Sequence, residues 1–256
     1  MRVNTEVLES LLADSALAAL RPSLELSYRD PGRAAAMDGF YAQFVRPGDL
    51  VFDVGAHVGD RTGSFRRLGA RVVAVEPQPL CGRTIRALYG DDDQVVLVAA
   101  ACGATPGTLE LHVNSANPTV STASPHFVRA ADGADGWREE VWDERIDVPS
   151  TTLDALVDEH GVPAFVKIDV EGFEDAVLAG LTRPLPALSL EFTTIERAVA
   201  RRALDRAAAL GFTRFNLALG DTMALAEPEW MSADAMATVL DALPHAANSG
   251  DVYCRP

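Results

Sequence analysis

A short segment near the middle of the chain, FVKIDVEGFED at residues 165–175, combines an apolar run with ionisable side chains at every second position. Lys167, Asp169 and Glu171 would share one face of an extended strand. Isolated charges cost several kcal/mol to bury unless they are paired or used in chemistry. The segment is therefore either an ion-pair brace or the edge of an active site.

The two acids of this segment suit proton chemistry at a hydroxyl group. In an extended strand Asp169 and Glu171 lie about 6.6 Å apart, near the carboxyl end, where open α/β sheets bind ligands. Neighbouring carboxylates raise at least one pKa, whereas pairing with Lys167 opposes that rise. A carboxylate with a raised pKa can act as a general base. We predict Asp169 as the base or the group that orients the substrate, with Glu171 and Lys167 tuning it.

Other interpretations of these acids remain open. Lys167 paired with one of the acids could simply brace the strand, and Asp169 with Glu171 could hold Mg²⁺. Glu191, at the end of the apolar run ALSLEF, is a second candidate facing the same cleft. Glu174 would stabilise the first turn of a helix through the helix dipole.

A second motif, DVGAHVGD at residues 53–60, predicts a cofactor loop. Gly55 and Gly59 stand where a strand turns into a helix, and without side chains they let backbone N–H groups approach a ligand. His57 occupies the place of the second glycine of the dinucleotide fingerprint, which disfavours a pyrophosphate. Glu76 follows about 20 residues later at the tip of the next strand, where a carboxylate can accept both hydroxyls of an adenosine ribose.

Strands and helices alternate through most of the chain, which favours βαβ crossovers and a mostly parallel, doubly wound α/β sheet. Helical spacing at residues 5–20 and 33–45, separated by the turn-like RPSLELSYRDPG, predicts an N-terminal helical cap over residues 1–46. The main domain then spans residues 47–256. Residues 103–148 interrupt the alternation with a hairpin-like strand, GTLELHV, and an acidic loop that reads as a lid.

These blocks, in order, resemble the FkbM family of S-adenosylmethionine-dependent methyltransferases. The resemblance rests on VFDVGAHVGDRT, VVAVEPQP, AACGATPGTLELHV, STTLDAL and FVKIDVEGFEDAVLAGL, from about residue 51 to 192, with GDVYCRP as the terminal strand. It implies a class I methyltransferase sheet of seven strands, S-adenosylmethionine as cofactor, and O-methylation of a small molecule or sugar. Asp53, Gly55 and Gly59 would then form the cofactor loop together with His57, and Glu76 would bind the ribose. His57 and Asp60 stand where members of the family more often have Asn and an aromatic or apolar residue.

Composition narrows the remaining choices. A net charge of −15 argues against nucleic acid as a partner, and the three scattered cysteines predict no disulfide framework. The N-terminus carries acids within its apolar pattern, and no apolar stretch is long enough to span a membrane, so we expect no signal peptide, no membrane partner and a cytoplasmic protein. A homodimer is compatible with the sequence. Two alternatives to an O-methyltransferase remain: a nicotinamide-dependent oxidoreductase, and a cofactor-binding protein without activity, suggested by His57 and Asp60.

Overall fold

The computed structural model describes residues 3–256 and contains two β-sheets flanked by helices. The strands are β1 (Leu50–Val54), β2 (Arg71–Val75), β3 (Val95–Val98), β4 (Ala101–Cys102), β5 (Gly107–Val113), β6 (Glu144–Thr151), β7 (Phe165–Ile168), β8 (Leu188–Thr193), β9 (Arg214–Leu219) and β10 (Ser249–Arg255). The helices are α1 (Thr5–Ala13), α2 (Arg21–Tyr28), α3 (Pro31–Tyr41), α4 (Asp60–Arg67), α5 (Pro79–Tyr89), α6 (Pro125–Ala131), α7 (Leu153–His160), α8 (Glu174–Ala179), α9 (Arg197–Ala209) and α10 (Ala233–Ala242).

The large sheet has seven strands in the order β3-β2-β1-β7-β8-β10-β9. All pairings are parallel except those of β10, which runs antiparallel to both β8 and β9. This confirms the predicted mostly parallel, doubly wound sheet. Strands β1 and β7 are direct neighbours, so the two motifs of chemical interest end side by side at the same edge.

The apolar strands are continuous because both faces of the sheet are covered. One face packs on helices α7 to α10, with Phe52 and Val166 fully buried among them. The opposite face packs on the N-terminal helices together with α4 and α5, through residues such as Leu20 and Phe165. The N-terminal helices thus cover one face of the large sheet.

The predicted turn between the first two helical segments is wrong. Residues 21–28 form helix α2, and α3 begins at Pro31 rather than at residue 33. Pro22 and Pro31 both lie in the first turn of a helix, where the missing N–H has no intrahelical partner in any case. Leu24 is fully buried and holds α2 against the core.

The hairpin-like strand of the interrupting segment is confirmed, because β5 pairs antiparallel with β6 in a second sheet of order β4-β6-β5. The segment between them is more ordered than a loop, since it contains helix α6. Trp137 donates a hydrogen bond to Asn248 Oδ1 at 3.1 Å, and Trp142 donates one to the Val120 carbonyl at 2.8 Å. These bonds fasten the segment to the large sheet and to its own base.

Among residues 3–256, no helix combines the length and the apolar character needed to cross a bilayer. The three cysteines, Cys81, Cys102 and Cys254, are buried free thiols. The absence of a disulfide framework was predicted from their spacing.

Candidate active site

The loop between β1 and α4 touches the loop that follows β7. Gly55 has φ of +81°, and a Cβ atom placed on it would lie 1.7 Å from the carbonyl oxygen of Asp169. Only glycine therefore permits this backbone contact. Gly59, with φ of +82°, caps the start of α4, and its Cβ would lie 2.9 Å from the Tyr89 ring. Gly55 therefore allows the loop to contact the segment after β7, and Gly59 allows it to enter α4 beside Tyr89.

His57 lies between these glycines and also has a positive φ, of +49°. Left-handed backbone is uncommon for residues other than glycine, and it points to a local constraint. The constraint is visible: the His57 backbone N–H donates to Glu76 Oε2 at 2.8 Å. The imidazole is left free to face the cleft, where its Nε2 lies 3.5 Å from Thr119 Oγ1.

Glu76 lies directly after β2, buried at the end of the strand. Its second oxygen, Oε1, accepts the backbone N–H of Gln78 at 2.7 Å. Burial raises the pKa of Glu76 to about 7, although the two backbone N–H bonds oppose the rise. The carboxyl group is thus held rigidly by the main chain at a strand tip, as a group that binds the hydroxyls of a nucleoside must be.

Asp53 is buried on β1 and accepts a hydrogen bond from Thr62 Oγ1 at 2.6 Å. Burial raises its pKa to about 6, against the effect of that bond. Because Thr62 belongs to α4, the bond ties the strand to the helix that carries the loop. The side chain of Asp53 therefore has a structural partner already.

The extended geometry predicted for Asp169 and Glu171 is wrong. Strand β7 ends at Ile168, the Asp169 N–H makes the last bond to β1 through Val54 O, and Glu171 has φ of +53°. The chain turns here because Glu174 Oε1 accepts the N–H groups of Val170 and Gly172. The sequence predicted only that Glu174 stabilises the first turn of a helix through the helix dipole. In the structure its buried side chain also stabilises the turn after β7.

Lys167 is buried on β7 and joins two acids. Its Nζ donates to Asp169 Oδ2 at 2.9 Å and to Asp251 Oδ1 at 2.7 Å. Burial disfavours the charge, but Asp169 and Asp251 together hold the pKa of Lys167 well above its ordinary value. Burial would likewise raise the pKa of Asp169, yet Lys167 and Arg61 outweigh it and leave that pKa below 3.8. Asp169 is therefore ionised, and its carboxylate is fixed in place.

Three acids converge beside this ion pair. Each of Asp169, Glu171 and Glu191 offers a carboxylate oxygen within 4.8 Å of the others. Burial, followed by the charge of Asp169, raises the pKa values of Glu171 and Glu191 well above the ordinary range. Glu191 Oε2 is buried without a hydrogen-bond partner among the described residues. The cluster has the oxygen ligands that a divalent cation prefers, but acids in proximity do not by themselves establish a metal site.

Two adjoining clefts open at this edge of the sheet. The first, of about 60 Å³, is lined by the ends of β1 and β2, by the loop after β7 and by Glu76. The second, of about 400 Å³, is lined by Lys167, Glu191 and Asp251 and by residues of α2 and α4. Both clefts share one wall, formed by Gly55, His57, Thr119, Asp169 and Glu171. A group could pass across this wall from a molecule in one cleft to a molecule in the other.

The first cleft fits a nucleoside cofactor. Its lining is mainly apolar, as is usual for small-molecule sites, with Val75, Ala100 and Leu111 among the residues. Glu76 supplies an anchored carboxyl group, and the Gly55 backbone lies at the cleft with no side chain to obstruct it. An anchored carboxyl group and an unobstructed backbone beside apolar residues suit an adenosine moiety.

The residues predicted to bind the cofactor lie at different places in the two clefts. Gly55 and His57 line both clefts, Glu76 lines the first only, and Asp53 lines the second only. Gly59 lines neither of the two. The predicted catalytic residues divide as well: Asp169 and Glu171 line both clefts, and Lys167 lines the second only.

Sequence reasoning missed Asp251. Its signal was a lone acid within the apolar terminal strand GDVYCRP, directly opposite Glu191 in the β8–β10 register. The outer wall of the second cleft was also missed. There Arg33 and Arg61 both bond to Asp60 and Asp221, while the buried Nε of Arg61 has no partner among the described residues.

Comparison with known proteins assigns the chain to a family. The methyltransferase FkbM domain matches residues 53–206, and no curated protein sequence matches the chain. Similar solved structures include an O-methyltransferase from Bacillus cereus in complex with S-adenosylhomocysteine, at 11% identity, 99% and 92% coverage of this chain and that one, and a TM-score of 0.48. A precorrin-6y C5,15-methyltransferase from Geobacter metallireducens has 13% identity, 88% coverage of each chain and a TM-score of 0.43. Fibrillarin from Aeropyrum pernix, with natively bound S-adenosyl-L-methionine, has 12% identity, 89% and 75% coverage and a TM-score of 0.45.

Proposed function

The chain belongs to the FkbM family of methyltransferases, and from this premise we propose that it transfers a methyl group to a hydroxyl of a small molecule, a natural product or a sugar. Its large sheet is that of a class I methyltransferase, and S-adenosylmethionine is the cofactor. When bound, this cofactor supplies an electrophilic methyl group on a positively charged sulfur.

The observation that carries the proposal is the wall shared by the two clefts. Gly55 and Glu76 suit the first cleft to the cofactor, and the second cleft is larger and open to an acceptor. Methyl transfer is an in-line displacement in which the protein chiefly positions the reactants, and positioning alone can supply about 7 to 11 kcal/mol. Two clefts that meet at the same residues suit that task.

Within this proposal each residue has a role at a stated atom. The backbone of residues 55–57 and the Glu76 carboxyl group hold the cofactor. Asp169, ionised and bonded to Lys167 Nζ, accepts a hydrogen bond from the acceptor hydroxyl and orients its oxygen towards the first cleft. Burial and the charge of Asp169 raise the pKa of Glu171 and favour its protonated form, which donates a hydrogen bond to the acceptor.

Isothermal titration calorimetry and a turnover assay test the proposal together. Wild-type protein should bind S-adenosylhomocysteine and methylate at least one member of a panel of sugar and natural-product hydroxyls. Asp169→Asn should keep the affinity for S-adenosylhomocysteine and lose turnover by about 10²-fold, because the acceptor hydroxyl is no longer oriented. Asp175→Asn is the matched control, because Asp175 lies on α8, bonds to Arg202 and lines neither cleft.

The two alternatives predict different results. Quenching or enhancement of NADH fluorescence on titration would support a nicotinamide-dependent oxidoreductase, which family membership no longer favours. A protein without activity would bind S-adenosylhomocysteine and turn over no acceptor. Activity that survives EDTA would exclude an essential divalent cation at Asp169, Glu171 and Glu191.

A further inference from the structure

We propose that His57 is the general base that takes the proton from the acceptor hydroxyl, while Asp169 orients that hydroxyl. The inference rests on the proposed O-methyltransferase function and deepens it. It separates two tasks that the sequence assigned to Asp169 alone, and it gives the His57 side chain a role distinct from that of its backbone.

The placement of His57 is the first support. It is one of the few residues lining both clefts, on the wall where donor and acceptor would meet. Its backbone N–H is engaged by Glu76, and the positive φ of +49° that this bond accompanies leaves the imidazole at the cleft. A general base must lie within hydrogen-bond reach of the proton that it removes, and this wall is where an acceptor oxygen must lie.

The hydrogen bonding of the imidazole is the second support. Among residues 3–256, its Nε2 has a single, long hydrogen-bond contact, at 3.5 Å, to the hydroxyl of Thr119. That hydroxyl also lies 3.3 Å from Ser23 Oγ on α2. A ring nitrogen with one weak contact can exchange it for an acceptor hydroxyl at little cost.

The nearby carboxyl groups are poorer bases. Asp169 is ionised, but Lys167 and Arg61 hold its pKa below 3.8, so the carboxylate has little affinity for a proton. Burial and the charge of Asp169 raise the pKa values of Glu171 and Glu191 well above the ordinary range, which favours their protonated forms over the carboxylates that a base requires. Neither state suits removal of a proton at pH 7.

His57 is in the required state. Burial lowers its pKa below 6.5, Asp60 and Asp169 act to raise it, and Arg61 acts to lower it. The imidazole is therefore neutral at pH 7 and can accept a proton. The ordinary pKa of an imidazole also lies closer to 7 than that of a carboxyl group. General base catalysis is most effective when the pKa of the base is close to the working pH.

The acceptor oxygen forms a bond to the methyl carbon while the carbon–sulfur bond breaks and its electron pair stays on sulfur. The hydroxyl proton passes to the imidazole of His57, which becomes an imidazolium beside Asp60 and Asp169. The products are a methyl ether and S-adenosylhomocysteine, and the imidazolium then releases its proton to water.

Two variants separate this role from a structural one. His57→Asn suits the left-handed backbone, because Asn tolerates positive φ better than most residues, and it preserves the N–H bond to Glu76. His57→Gly also suits φ of +49° and leaves space for a free imidazole molecule. For both, the affinity for S-adenosylhomocysteine should stay within about threefold of wild type, while kcat/KM for the most active hydroxyl of the panel falls about 10²- to 10⁴-fold.

The pH profile and chemical rescue are the decisive readouts. In wild type, kcat/KM should fall as the pH drops below 6.5, and this acid limb should disappear in His57→Asn. Added imidazole should restore part of the activity of His57→Gly but none of that of Asp169→Asn. An NMR titration of wild type with S-adenosylhomocysteine bound, with the His57 signal identified by its loss in His57→Asn, should show the ring neutral at pH 7.

The outcomes distinguish the two proposals. Failure of wild-type protein to bind S-adenosylhomocysteine, or to methylate any hydroxyl of the panel, would overturn the proposed function and this inference with it. Wild-type turnover with undiminished activity in His57→Asn would overturn the inference alone. So would loss of activity in His57→Gly that imidazole does not restore, or an imidazole found protonated at pH 7.

Discussion

At the scale of single residues, the contacts of Lys167 show whether the charged segment at residues 165–175 is an ion-pair brace or part of the site. Its ammonium group is buried and bonded to Asp169 on one side and to Asp251 on the other. Asp251 is thereby neutralised within the sheet, whereas Asp169 remains at the wall between the clefts. The same ion pair braces the strand and fixes the orientation of a carboxylate at the site.

We predict that Lys167→Met destabilises the protein strongly, because it leaves the buried Asp251 and the partly exposed Asp169 without their cation. Breaking a buried pair by removing one partner typically costs about 3 to 5 kcal/mol of unfolding free energy. The matched control is Arg201→Met, which removes a much more exposed bridge to Asp241 and should cost no more than about 1 kcal/mol. Urea denaturation measures both, and equal losses would show that the buried pair contributes nothing special.

Glu76 allows a second test at this scale. Hydrogen bonds to a charged group contribute about 1.5 to 3 kcal/mol, so Glu76→Ala should weaken binding of S-adenosylhomocysteine by about 10- to 100-fold in calorimetry. Glu144→Ala, at an exposed strand start, is the control and should leave the affinity unchanged. Unaltered binding by Glu76→Ala would remove Glu76 from the cofactor site.

At the scale of elements, the site depends on two loops that touch through their backbones. The turn after β1 and the turn after β7 approach each other at Gly55 and Asp169 because β1 and β7 are adjacent parallel strands. Neighbouring parallel strands bring their carboxyl ends to one edge, and glycine removes the only side chain that would separate the loops.

We therefore expect Gly55→Ala to disrupt the site more than the strain of its positive φ alone would. Gly48 has a similar φ of +88°, but no atom of the described part of the chain lies within 4 Å of a Cβ placed on it. Gly48→Ala therefore has the same backbone strain without the steric clash. Gly48→Ala should cost about 1 kcal/mol of stability and leave binding of S-adenosylhomocysteine intact. Gly55→Ala should cost more and lower the affinity at least tenfold. Equal effects in thermal unfolding and calorimetry would contradict the role of the loop contact.

At the scale of the whole molecule, the sequence predicted what depends on local pattern. The parallel strands were recognisable because they are apolar on both faces, and the glycine loop because its spacing is local. The pairing of Lys167 with Asp251 could not be recognised, because the partners are 84 residues apart and only the order of the sheet brings them together. The turn at Glu171 was also missed, because it depends on Glu174 accepting two backbone N–H groups. The helix at residues 21–28 was missed because prolines that break a helix interior are accommodated in its first turn.

The molecule as a whole carries several buried acids whose pKa values burial raises, among them Glu76 and Glu174, both to about 7. A carboxyl group with a raised pKa in the folded state stabilises the fold fully below its unfolded pKa, near 4.5. That contribution is lost as the pH rises through about 7, since the folded protein must then bury a charge.

We therefore predict that the cofactor-free protein is less stable at pH 8 than at pH 6. Each group with a folded pKa of about 7 lowers the unfolding free energy by about 1.4 kcal/mol across that interval. Groups with lowered pKa values, such as Asp169, are ionised throughout and contribute nothing to the difference. Glu174→Gln isolates one contribution, because Oε1 of Glu174 accepts both loop N–H groups and an amide oxygen can replace it. Urea denaturation at the two pH values should show the variant losing about 1.4 kcal/mol less than wild type, and a wild type equally stable at both would refute the burial of these charges.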